Sequence, residues 1–337
     1  MIYNILLEIY LPKGKNGVYM SENKKACFAK KTSIGGQALI EGIMMRGPKM
    51  TAMAVRNPQG EIVLEKWATD SENKNALVEK LKKVPVVRGV FNFVSSMLTG
   101  YKSLMKSAEI AGFEEEEKKE SKGVMAVVGV VAIVLGVLLS VGLFIYLPSL
   151  IYELLSLLIP FLATSVFLKS FFEGILKIAI LVAYMALVSR MEDIKRTFQY
   201  HGAEHKTIFC YEAGLELTVD NVRKMGRFHP RCGTSFLVVM LIISIFIGML
   251  IPTHIGTLAV NSAIRTLFKI VLLPLTMGIG YEFIKFAGKH DNALTRILSA
   301  PGLWMQRITV LEPTDEMIEC AIAAVKEVIP EDGSDEI

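Results

Sequence analysis

From Gly123 to Tyr152 the chain runs for thirty residues without one charged side chain. About 20 apolar residues already cross the hydrocarbon core of a bilayer, so a soluble domain would have to hide an unusually long segment to accommodate this one. Composition points the same way. The chain is 52% apolar with a mean hydropathy of +0.44, above what soluble globular domains carry. It therefore reads as a mainly α, polytopic membrane protein with about four transmembrane helices and a small cytosolic α+β domain near the N-terminus. A length of 337 residues leaves room for one such domain, not several.

Four spans are expected. The first runs from about Met125 to Tyr146, with Pro148 just past its end. The uncharged stretch 154–168 is short and carries Pro160, which suits a re-entrant segment. The second span, Ser170 to Ser189, holds Glu173 and Lys177 one helical turn apart, where they can neutralise each other. Thr234–Ile251 gives the third. Ile270–Ala287 gives the fourth, kinked by Pro274 and carrying Glu282 near its end. Twenty Lys and Arg precede Gly123 and seven lie between Glu192 and Cys232, whereas 147–168 and 252–264 contain none. The positive-inside rule then puts the N-terminal region, the segment after the second span and the C-terminal tail in the cytosol. The expected setting is thus a multi-pass plasma-membrane protein with both termini cytosolic. The net charge of +4 is small, and no pattern points to nucleic acid.

Outside the spans, residues 1–32 read as a flexible basic arm. Its apolar start is broken by Glu8 and lacks a cleavage site, unlike a signal peptide. Residues 33–122 form the expected cytosolic α+β region. Gly35–Pro48 reads as a strand or tight loop, and strands at Thr51–Val55 and Glu61–Trp67 join through Asn57-Pro58-Gln59-Gly60. Ser71–Lys83 reads as a helix and Phe113–Glu120 as a solvated acidic hinge. Between them Phe91, Val94, Met97, Leu98, Tyr101 and Met105 recur at helical spacing, a stripe expected to pack on the β element, with the membrane interface as the alternative. In the tail, 290–337, a helix capped by Thr314 presents Met317, Ala321, Ala324 and Val328 on one face, suited to docking on the cytosolic domain.

The chemistry concentrates in 191–233, a cytosolic stretch between the first two spans (within 123–190) and the last two (within 234–289). Three of the five histidines fall here. His201 and His205 lie one turn apart on a helix face, with Glu204 before the second, which is the H-x-x-E-H order of a metal site. His229 and Cys232 follow. Four protein ligands, His201, His205, His229 and Cys232, would close a tetrahedral structural zinc site. With only three, an open position remains and Glu204 is placed to act as a catalytic base. Glu282 is a further candidate ligand. Arg231, at the start of the third span, could bind an anionic group. Glu212 reads as a surface residue. The four cysteines form no close pair and reduced thiols are expected.

Several of these stretches resemble the YqhQ-like family of bacterial membrane proteins, a family of unknown function described as metal-dependent enzymes. The resemblance rests on Gly35-Gly36-Gln37-Ala38 with Glu41 to Pro48, on His201-Gly202-Ala203-Glu204-His205-Lys206, on His229 to Ser235, and on Ala300 to Trp304 with Glu312-Pro313. It covers about Gly35 to Val325 and implies several transmembrane helices and a metal, with no established reaction. Two function classes stay open. One is a membrane-embedded zinc hydrolase acting at the cytosolic interface. The other is a membrane-protein biogenesis or assembly factor with a structural metal, in which Glu41 and Arg46 contact a membrane-protein or translocation partner.

Overall fold

The structure, a computed structural model, describes residues 31–69, 81, 83–113, 122–251, 258–289 and 293–337. Residues 1–30 of the expected arm, nearly all of the expected helix at 71–83 and the acidic run from 114 lie outside these residues, while Thr32, expected in the flexible arm, is buried and donates to Asp335 Oδ2 at 2.6 Å. Four strands, β1 (Gly35–Leu39), β2 (Gly42–Arg46), β3 (Met50–Arg56) and β4 (Ile62–Ala68), pair antiparallel in sequence order. Gly35–Pro48 is therefore a hairpin plus its exit. Leu39 faces Gly42, so Ile40 and Glu41 form the turn, with Glu41 at φ 50°. The expected Asn57–Gly60 turn forms too. Asn57 Oδ1 accepts from the amides of Gln59 and Glu61, and Gly60 takes the left-handed φ of 86° that the turn requires.

The helices follow as α1 (Val87–Ile110), α2 (Lys122–Val141), α3 (Leu147–Leu158), α4 (Val166–Val188), α5 (Glu192–Glu212), α6 (Val219–Arg223), α7 (Gly233–Met249), α8 (Leu258–Val271), α9 (Leu273–Lys289), α10 (Ala293–Thr309) and α11 (Asp315–Lys326). One sheet face packs on α5 and α11. Ile43, Met45, Ala52 and Ala54 meet Tyr200, Ala203, Met317, Ile318 and Ala321 there. The other face buries Leu39, Met44, Met53 and Val55 against Leu104 and Ile110 of α1. Covered on both faces, β3 reads Met50-Thr-Ala-Met-Ala-Val as an almost unbroken apolar run rather than an alternating one. The expected docking of the tail helix is present, since Met317, Ala321, Ala324 and Val328 are all buried.

Among the described residues two helices are long and apolar enough to cross a membrane, Gly129–Leu158 and Phe167–Val188. A third candidate is α8 with α9, which are bent by 43° where they meet, while the apolar part of α7 is shorter. The expected end of the first span at Tyr146 is corrected. A π turn at Gly142–Tyr146, in which the Leu147 amide reaches back to the Gly142 carbonyl, leads straight into α3. Pro148 lacks an amide hydrogen, and it falls in the first turn of α3, where none is needed. The break comes later, at the 3-10 turn Pro160–Thr164. Glu173 is likewise paired across helices, with Lys269 Nζ at 2.6 Å, rather than with Lys177. Glu153 accepts from Lys169 Nζ at 2.9 Å.

Helix α1 reverses expectation. Its buried face is small and polar, namely Gly89, Gly100, Ser103, Ser107 and Ala108, and its apolar stripe points outward. Gly100 lies against Gln37 of β1, where a Cβ would stand 2.2 Å from Oε1 and the Gln37 side chain would have to turn aside. The packing constraint on α1 is thus close approach, and close approach selects small residues, not the large ones that sequence periodicity highlights.

Helix α5 is held equally close. A Cβ on Gly202 would stand 1.9 Å from the Leu311 carbonyl oxygen, and Leu311 N donates to the Phe198 carbonyl at 2.9 Å. Gly202→Ala must therefore push the 309–313 segment away from α5. We expect a loss of at least about 2 kcal/mol, read as a lowered thermal unfolding midpoint of the detergent-solubilised protein, while Gly129→Ala, where a Cβ meets nothing within 4 Å, leaves it unchanged.

Candidate metal centre

Helix α5 is polar in composition, yet from Tyr200 to Glu212 all but His201 and Tyr211 are classed as buried. Each polar side chain on it consequently needs a partner. Thr207 Oγ1 donates to the Ala203 carbonyl at 2.8 Å. Lys206 pairs with Glu312 and donates to the Arg223 carbonyl at 3.0 Å. His201 Nδ1 lies 2.9 Å from the Thr309 carbonyl oxygen and His205 Nδ1 lies 2.5 Å from that of Arg227. A carbonyl only accepts, so both imidazoles carry a proton on Nδ1, and Nε2 is the nitrogen whose lone pair an ion would take on displacing any proton there.

Both lone pairs belong to one spot. His201 Nε2 is 3.1 Å from Cys232 Sγ. One potential ligand atom from each of His201, His205 and Cys232 falls within 4.8 Å of the other two. The imidazole rings stack edge to face with centroids 4.5 Å apart. His205 Nε2 and Glu204 Oε2 are buried without a hydrogen-bond partner, while Glu204 Oε1 accepts from the Gly36 amide at 3.1 Å. Burial alone would raise the Cys232 thiol, but His205 and His201 outweigh it and hold it well below its usual range. Burial likewise lowers His201, and the Cys232 sulfur more than reverses this, to about 9. Burial pushes Glu204 up, with the two imidazoles partly offsetting it. The residues fit a soft divalent ion: two oriented nitrogens, a sulfur that favours the thiolate, and carbonyls behind each imidazole that fix its tautomer.

His229 stands apart from this set. Its Nδ1 accepts the Arg231 amide at 3.3 Å, and its Nε2 turns towards Glu212 Oε2 at 3.7 Å. Burial holds its imidazolium down to about 4 despite Glu212, so the ring is neutral. The His229 ring centroid is 5.5 Å from that of His205, and the residue lies outside the group whose ligand atoms converge. Among the described residues only His201, His205 and Cys232 form such a group. Glu282 is also elsewhere. It accepts from Arg88 Nε at 2.6 Å and from the Val86 amide at 3.3 Å, holding Val86, a β-branched residue at φ 69°, at the start of α1. Arg231 pairs with Glu212 rather than standing ready for an anion. Glu41 is engaged by Arg196 Nε at 2.5 Å, and Arg46 helps line an open cavity of about 420 Å³ between the sheet and α1.

Glu212, expected at the surface, is fully buried and is the residue that sequence reasoning undervalued. It accepts from the Thr32 amide at 2.9 Å and pairs with Arg231, so it ties the chain before β1 to the segment before α7. Its place seven residues after His205, two turns along the same face, was the available signal. Gln306 adds a second clasp, accepting from the His229 amide at 2.9 Å and donating to the His229 carbonyl at 2.8 Å.

The fold and site define a helical protein with two or three apolar helices suited to a membrane, a four-stranded sheet and a buried His-His-Cys cluster. The chain belongs to the family described as a protein of unknown function (DUF1385), which matches residues 84–331. It is 34% identical over 308 residues to the uncharacterized protein YqhQ of Bacillus subtilis (strain 168), a match spanning 88% of this chain and 92% of that protein. No solved structure matches.

Removing Glu212 leaves Arg231 and the Thr32 amide without their buried acceptor. Glu212→Ala is expected to destabilise by about 3 kcal/mol, and chemical denaturation compared with Glu216→Ala, an exposed control on the following loop, checks this.

Proposed function

We propose that the protein is a membrane-associated, metal-dependent hydrolase in which His201, His205 and Cys232 hold one divalent ion, by chemistry zinc, and Glu204 is the general base. The observation that supports it most is the pair of buried atoms left without hydrogen bonds, His205 Nε2 and Glu204 Oε2, beside the His201–Cys232 contact. Zinc in such a site supplies Lewis-acid polarisation and makes water more acidic. The chain's own residues supply the rest. The Thr309 and Arg227 carbonyls hold both imidazoles in the ligating tautomer. The Gly36 amide fixes one oxygen of Glu204, so the other can take a proton, and burial makes that carboxylate more basic than an exposed one. The Lys and Arg distribution favours a multi-pass plasma-membrane topology with this site and both termini on the cytosolic side. The substrate would then be a bond in a lipid or membrane protein reached from that side.

A structural role is the second reading, and one observation favours it. Glu204, His205 and Cys232 are buried, and none of them lines the open cavity. A metal there would pin α5 to the start of α7 and serve an assembly factor, with Arg46 turned to a membrane-protein or translocation partner.

Metal analysis of the purified protein is expected to give about one zinc per chain. Cys232→Ser should weaken metal affinity at least about tenfold. Under the hydrolase reading Glu204→Gln keeps metal and thermal midpoint but fails to complement a deletion strain. Complementation by Glu204→Gln together with failure of Cys232→Ser would move the assignment to the structural role. Wild-type protein without metal would sink both.

A further inference from the structure

Helix α1 is amphipathic in the sense opposite to that of a helix on a soluble protein. Val94, Met97, Leu98, Tyr101 and Met105 are each 43–60% exposed, while Gly89, Gly100, Ser103, Ser107 and Ala108 are buried against the protein. On a helical wheel the exposed five fall in one continuous arc with Lys102 at its margin. Among the described residues no element covers this arc.

Both ends of α1 are tied to candidate membrane helices. At its start, Gly89 packs so closely on α9 that a Cβ would stand 2.7 Å from Tyr281 Cβ. Arg88 and the Val86 amide bind Glu282 on the same helix, and Asn92 Nδ2 donates to Tyr281 Oη at 2.8 Å. At its end, Phe113 is separated by only eight residues from Lys122, where α2 begins. Helix α1 is thus fixed at one end to α9 and joined at the other, through a short segment, to α2. Its exposed face is apolar, with a tyrosine within it and a lysine at the rim, the composition that suits the boundary between acyl chains and headgroups.

We propose that α1 lies in the bilayer interface with the row from Val94 to Met105 buried among lipid. The inference rests on the membrane reading of α2 to α4 and not on the metal. It also places the cavity that Ser96 and Thr99 of α1 help to line beside the headgroups.

The test uses the full chain with Cys27→Ser, reconstituted in vesicles of equal parts phosphatidylcholine and phosphatidylglycerol. An environment-sensitive fluorophore is attached at Leu98→Cys on α1, at Leu138→Cys on α2 or at Glu61→Cys in the β3–β4 turn. Each of these positions is exposed, so labelling need not disturb packing. The Leu98 probe is expected to emit to the blue of the Glu61 probe and to be quenched by lipids brominated near the top of the acyl chain at least about threefold more strongly. Quenching at Leu138 with none at Leu98 would overturn the placement of α1 and leave the membrane reading standing. Quenching at neither would remove the membrane reading itself. Energy transfer between labelled copies at Leu98, with no lipid quenching, would show that a second copy covers the stripe, and this too would overturn the proposal.

Discussion

The rest of the structure depends on keeping a polar helix buried. Helix α5 lies against the sheet, α11 and the segment 309–313, and an unpaired polar group in such a place costs a few kcal/mol. The surroundings are therefore arranged as partners. Glu312 reaches Lys206, Arg231 and the Thr32 amide reach Glu212, and two backbone carbonyls reach the Nδ1 atoms of His201 and His205. These bonds draw the chain before β1, the approach to α7 and the end of α10 onto one helix. Glu204 Oε2 is left without a hydrogen bond beside the place where ligand atoms of His201, His205 and Cys232 converge.

The same constraint explains why glycine recurs at the close approaches. Gly202 lets the 309–313 segment meet α5, and Gly36 brings a β1 amide to Glu204, where a Cβ would stand 3.0 Å from the carboxylate carbon. The sheet thus does more than form a core. Its first strand presents a backbone donor to the group proposed as the base, through a position where a side chain would intervene.

Much of this was legible in the sequence because it rests on local signals. Hydropathy marked the apolar helices, the Asn57–Gly60 turn announced the β3–β4 hairpin, and the i, i+4 spacing put His201 and His205 on one face. What was not legible depends on partners distant in sequence. Glu173 pairs with Lys269 across helices, although Lys177 is its neighbour along the chain. His229 shares a short motif with Cys232, but the Arg231 amide and Glu212 claim its nitrogens. The apolar stripe of α1 was visible, but periodicity cannot say which side of a helix the protein occupies. Gly89 carried that information, as a position where a Cβ would meet the Gly278 backbone and Tyr281 Cβ.

The central claim is that two imidazoles and one thiolate, with no fourth histidine or cysteine, form a metal site beside a carboxylate. X-ray absorption at the zinc edge of the purified full-length protein tests it most directly. The account predicts a shell of two nitrogen ligands and one sulfur, completed by oxygen, and unchanged in His229→Gln. A third imidazole in the shell, lost in His229→Gln, would contradict it, as would a shell without sulfur.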